Sequence, residues 1–81
     1  MEVMTDEKFI EIAKDHVQDW YLNHGIKISK SKIYILSYKS NILREYFVAE
    51  LNAFPKIDFF KFSINTVKNK SRFIRKDYDG K

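Results

Sequence analysis

The chain of 81 residues contains no cysteine, a single proline and two glycines. Without thiols there are no disulfide staples, no thiolate metal site and no cysteine nucleophile. Two glycines are too few for a phosphate-cradling Gly-rich loop, and no serine stands in a nucleophile-elbow context. No apolar run approaches the roughly 18 residues that a membrane-spanning helix needs. The acidic start Met1-Glu2-Val3-Met4-Thr5-Asp6-Glu7 lacks the basic n-region of a secretory signal. Repeats and low-complexity segments are also missing. These absences lead to the expectation of a soluble, cytoplasmic protein that carries no cofactor.

What is present suits a small folded domain. Hydrophobic residues make up 44% of the chain and aromatics 16%, with 7 Phe, 5 Tyr and 1 Trp. Such side chains bury much area each, which a domain near the lower end of stable size requires. A single domain over residues 1–81 is expected, frayed at 1–4 and 79–81.

Thr5 is a good N-cap, and Asp6 and Glu7 complement the positive end of a helix dipole. At 100° per residue, Phe9, Ile10, Ala13, Val17, Trp20 and Tyr21 form one apolar stripe opposite Lys8, Glu11, Lys14, Asp15, Gln18 and Asp19. Gly25 offers the left-handed residue that ends many helices. Lys32 to Tyr38 is β-branched and aromatic, and reads as a strand with both faces at least partly covered. Ile26 and Ile28 suggest a short extension before a Ser29-Lys30-Ser31 loop. Residues 41–54 fit two readings. Leu43, Phe47, Leu51 and Phe54 have helical spacing, whereas at period two Leu43, Phe47, Ala49 and Leu51 share a face. Ile57 to Ile64 reads as a strand, Asn65 to Ser71 as a turn, and Arg72 to Tyr78 as a charged edge strand.

Phe9-Ile-Glu-Ile-Ala-Lys-Asp-His-Val17, then Trp20-Tyr21, then Lys32-Ile-Tyr-Ile-Leu-Ser-Tyr-Lys39, resembles short phage and prophage proteins of Gram-positive bacteria. Those have a helix of the pattern F-I-x-x-A-K-x-H-V, a strand ending in lysine, and further strands. Two turns depart from that pattern, where this chain has Asn52-Ala-Phe-Pro55 and Asn65-Thr-Val-Lys68. The resemblance implies a strand at about 45–51, a phage origin and a bacterial host cell. It implies no activity. The expected fold is therefore α+β: an N-terminal amphipathic helix on an antiparallel meander of about four strands. A second helix at 41–54 is the alternative.

The overall charge of +4 conceals an asymmetry. Residues 1–25 carry a net −4 and residues 26–81 a net +8. Glu7, Glu11, Asp15 and Asp19 stand four apart and form an acidic column on the exposed helix face, a candidate surface for a basic protein partner. Lys68, Lys70, Arg72, Arg75 and Lys76, with Phe73 and Tyr78 among them, form a candidate nucleic-acid patch. Strand alternation separates Arg75 from Arg72 and Lys76, however. Each charged set also has a plainer explanation in solvation and edge protection. Among Tyr34, Tyr38, Phe47, Phe59, Phe60 and Phe62, core packing is the expected role. One helix covers only one face of a sheet, so adjacent Phe59 and Phe60 leave an apolar second face, open or covered by a partner or a second copy as a homodimer.

His16 is expected at the core boundary and His24 near the helix end. Their helical directions differ by about 80°, and neither has the carboxylate–His spacing of a metal helix. No metal site and no catalytic residue are assigned. The expected function is a non-enzymatic binding protein that acts on a host or defence component by direct protein contact. Nucleic-acid binding through the basic half is the alternative.

Overall fold

Thr5 accepts a hydrogen bond from the backbone N–H of Lys8 at 3.1 Å and starts helix α1, Asp6–Asn23. The helix ends in a Schellman motif around Gly25. The Gly25 N–H donates to Leu22 O at 3.0 Å and the Ile26 N–H to Tyr21 O at 2.9 Å. Gly25 has φ +78°, the left-handed region where a glycine avoids the Cβ penalty. The computed structural model describes residues 4–53 and 58–76. In it α1 is followed by a single 3-10 turn, Lys30–Lys32, and four strands: β1 Ile33–Ser40, β2 Tyr46–Ala53, β3 Asp58–Asn65 and β4 Lys70–Lys76.

The strands pair antiparallel in the order β1-β2-β3-β4. The expected α+β meander is therefore the observed fold, and the strand reading of 41–54 prevails over the helical one. Burial alternates along β2, with Phe47, Ala49, Leu51 and Ala53 fully buried. A helix would have sent Phe47 and Ala49, two residues apart, to opposite sides. Phe9, Ala13, Val17 and Tyr21 of α1 close over this row and over Phe60 and Phe62 of β3. Phe9 stacks on Phe47 with ring centroids 4.9 Å apart and on Phe62 at 5.9 Å. His16 lies at the core boundary as expected, 4.5 Å from Phe62.

Strand β1 departs from its expected environment. It is an edge strand, and only Ile33 is fully buried. Ile35 pairs with Leu51 and Ser37 with Glu50, so Leu36 is an extra residue in a β-bulge. The bulge switches the strand's parity. Ile33 and Ile35 face the helix before it, and Tyr38 and Ser40, opposite Ala49 and Phe47, face it afterwards. Bulge and edge position leave Tyr34 48% and Tyr38 42% exposed, so of the six aromatics expected in the core only Phe47, Phe60 and Phe62 are fully buried.

Smaller differences share the same origin in tertiary contacts. Ile26 and Ile28 pack on the core from a loop instead of extending a strand, and the Gln18 amide donates to Ile28 O at 3.0 Å. Met4 packs against the core although 1–4 was expected to fray. Leu43 lies in the β1–β2 turn, 72% exposed, and does not join the apolar row of β2. Strand β4 begins at Lys70, earlier than the expected Arg72. The expectations for 1–3, for Phe54, Pro55 and Ile57, for Tyr78, and for 79–81 lie outside the described residues.

Every pair on either side of the bulge stays in register when Leu36 is removed. Deleting Leu36 is expected to preserve cooperative unfolding and the far-UV circular dichroism spectrum. Deleting Val48 from central β2 turns Phe47 to the opposite face and is expected to abolish folding. A folded Val48 deletion measured in the same experiment contradicts this register.

Candidate functional site

The helix covers one sheet face, and among the described residues no helix or strand covers the other. That outer face consists of cross-strand rows. Lys39, Val48, Ser63 and Arg72 form one, and Ser37, Glu50, Lys61 and Ile74 the next. Tyr46, Asn65 and Lys70 flank them on one side, and Tyr34, Asn52, Phe59 and Lys76 on the other. Five basic residues thus share the face with Glu50, which is ion-paired to Lys76. Lys70, Arg72 and Lys76 of the predicted basic patch belong here, and Lys68 lies in the adjoining turn.

Arg75 does not join them. It sits opposite Phe60 on the helix side, with its guanidinium 4.7 Å from the centre of the Trp20 ring and 2.8 Å from Asp58 Oδ1. The buried Tyr21 hydroxyl donates to the other Asp58 oxygen, and Trp20 stacks on His24 at 4.0 Å. Arg75 therefore fastens the end of α1 to β3 and β4. The sequence placed Lys39 and Lys61 in no cluster. They come from β1 and β3, and only the strand register makes them neighbours of Arg72.

The acidic column is folded as predicted, with Glu7, Glu11 and Asp19 exposed and Asp15 half-buried. Lys30 reaches across it from the 3-10 turn and pairs with Glu11 at 2.5 Å and with Asp15. The Asp15 and Glu11 carboxylates raise the Lys30 ammonium to about 12. Arg44 pairs with Asp6 at the start of the helix. The hydrogen bond from Arg44 holds the Asp6 carboxyl below its ordinary value, and Asp6 in turn raises the Tyr38 phenol. Part of the negative charge is thereby satisfied within the chain, and Glu7 and Asp19 lie at the two ends of the bridged pair.

A third feature has no counterpart in the sequence reading. The β1–β2 and β3–β4 turns lie at the same end of the meander, joined by Thr66, whose N–H and hydroxyl both donate to Glu45 O, at 2.8 and 3.1 Å. Asn41 braces the first turn, its Oδ1 accepting from the N–H groups of Glu45 and Tyr46 at 2.8 and 2.9 Å. Arg44 is held there with φ +57°. These turns present Ile42 at 97%, Leu43 at 72% and Val67 at 67% exposure. The Asn41 turn signal was available in the sequence, but Leu43 reads equally well as part of a periodic segment.

Among the described residues no group of three or more His, Asp or Glu is placed to hold a metal ion, and no helix is long and apolar enough to cross a membrane.

Tyr21→Phe is expected to lower stability by about 1 kcal/mol, and Asp58→Ala, which removes the acceptor shared by Tyr21 and Arg75, by about 2 kcal/mol, both read by urea unfolding. The Asp6–Arg44 pair gives a pH signature. A depressed folded pKa contributes stability above the ordinary value of 3.8, and that contribution is lost as pH falls below it. The Tm difference between the wild type and Asp6→Asn is therefore expected to be larger at pH 7 than at pH 3, and a constant difference refutes the linkage. No protein-family model, curated protein or solved structure matches the chain, so its function has to be read from this geometry.

Proposed function

We propose that this chain is a non-enzymatic binding protein, encoded by a phage or prophage and working in the cytoplasm of its bacterial host, that modulates or inhibits a host or defence component by direct protein contact. The observation that carries the reading is the aliphatic tip formed by Ile42, Leu43 and Val67. Exposed aliphatic side chains usually sit singly on a surface, and three of them on two turns joined by Thr66 make a candidate contact site. Bracing matters because a turn already ordered loses little further entropy on association.

Charge supports the same reading. The Asp6–Arg44 pair ties the first turn to the start of α1, which brings Glu7, the first residue of the acidic column, toward the tip. An apolar centre with an acidic flank suits a partner whose own surface is basic around an apolar pocket. The phage origin rests on the resemblance of the helix and first strand. A small chain would act there by occupying a partner's surface.

A second reading, nucleic-acid binding, is favoured by one observation, the five basic residues brought onto the outer sheet face.

Affinity capture from host lysate, with and without nuclease, separates the two. The expected result is a protein captured in both conditions by the wild type and lost with the double variant Ile42→Asp, Leu43→Asp, whose Tm stays within a few degrees because both sites are exposed. Capture that disappears with nuclease overturns the protein-contact reading. Capture that survives the double variant removes the tip from it.

A further inference from the structure

The outer sheet face has a composition that neither the tip nor the acidic helix explains. Of the acids among the described residues, Asp6, Glu7, Glu11, Asp15 and Asp19 are on α1, Glu45 is in a turn and Asp58 faces the helix side. Glu50 alone lies on the outer face, paired with Lys76. Among the described residues, Lys39, Lys61, Lys70 and Arg72 thus share a surface with no acid except that paired one, and all four are exposed. Tyr46, 44% exposed, and Ile74, 43% exposed, lie among them.

We propose that this face binds single-stranded nucleic acid, with Lys39, Lys61 and Arg72 taking phosphates and Tyr46 stacking on a base. The proposal rests on the second reading above and specifies its site and ligand. Charge complementarity selects a polyanion. Lys39 and Arg72 occupy one row on opposite edge strands, about 14 Å apart at the usual strand spacing, with Lys61 in the neighbouring row between them. The cations therefore follow a path across the sheet, as an extended backbone does.

The shape of the face selects a single strand. A broad sheet face offers no helix or two-stranded ribbon to enter a major groove. An exposed aromatic ring has no base to stack on in a closed duplex, whereas unstacked bases accept one readily. By analogy, four-stranded antiparallel sheets with aromatic and basic residues on a free face are a recurrent platform for single strands. The predicted patch of Lys68, Lys70, Arg72, Arg75 and Lys76 is redrawn accordingly: Lys39 and Lys61 enter it, and Arg75, committed to Asp58 and Trp20, leaves it.

The test is fluorescence anisotropy of the full chain with a labelled 15-mer of uridine, a 15-mer of thymidine and a 15-base-pair duplex, from 50 to 200 mM KCl. Three variants accompany the wild type. The first is Lys39→Ala, Lys61→Ala, Arg72→Ala. The second is a charge-matched control on other surfaces, Lys14→Ala, Lys27→Ala, Lys32→Ala. The third is Tyr46→Ala, which leaves the charge unchanged. Circular dichroism confirms that each is folded.

The single strands are expected to bind more tightly than the duplex. The outer-face variant is expected to weaken binding at least tenfold and to reduce the log–log salt slope by about 2, at roughly 0.7 per phosphate contact. The control should keep most of the affinity, and Tyr46→Ala should lose about tenfold. Equal weakening by the outer-face variant and the control overturns the site but leaves the nucleic-acid reading standing. Preference for the duplex overturns the single-strand assignment. Absence of binding to all three probes at 50 mM KCl overturns both. Competition by polyglutamate as effective as that by oligouridine, at equal charge, means that the face reads an acidic protein surface, and this also overturns the proposal.

Discussion

Four side chains one helical turn apart, Phe9, Ala13, Val17 and Tyr21, pressed on the aromatic row Phe47, Phe60 and Phe62 hold the rest of the molecule in place. This is the core of a chain with no covalent staple, and it lies entirely between one helix and one sheet face. The geometry allows nothing else, because a single 18-residue helix cannot cover both sides of four strands. Among the described residues no helix or strand covers the other face, and its mixture of basic, polar and apolar residues suits that position.

The same two-layer arrangement converts a sequence asymmetry into a spatial one. The acidic column of α1 lies on the exposed side of the helix, while Lys39, Lys61, Lys70 and Arg72 lie on the sheet face turned away from the helix. Where opposite charges do meet, they hold the layers and loops together. Lys30 ties the 3-10 turn to the helix, Arg44 ties the first hairpin to the helix start, and Arg75 ties the last strand to the helix end through Asp58. Arg44 and Arg75 thereby serve the fold, while Lys39, Lys61, Lys70 and Arg72 stay exposed on the outer face.

The helix was legible to within two residues, because its cap, stripe and terminal glycine are local and agree with one another. The strands were legible as segments, and the order of a meander followed once 41–54 was taken as extended. The candidate sites were legible only in part. The acidic column is a spacing along one helix and appears in the structure as read, but its bridging by Lys30 joins residues 19 apart in sequence. The separation of Arg75 from Arg72 and Lys76 followed from strand alternation, but the addition of Lys39 and Lys61 depends on the register of β1 and β3. The aliphatic tip was hidden because Leu43 fits the apolar period of 41–54 until the turn around Asn41 is closed.

Composition and local spacing were sufficient for the cap, the amphipathic stripe, the sign of each half of the chain and the succession of strands. These depend on neighbours within about one helical turn, whose geometry is the same in any protein. Three further features depend on contacts between distant segments: which face of β1 meets the helix beyond Leu36, which cations stand beside Arg72, and which aliphatics are left in solvent. A bulge shifts parity by one residue without leaving a mark in the hydrophobic pattern, and every cross-strand neighbour beyond it depends on that shift.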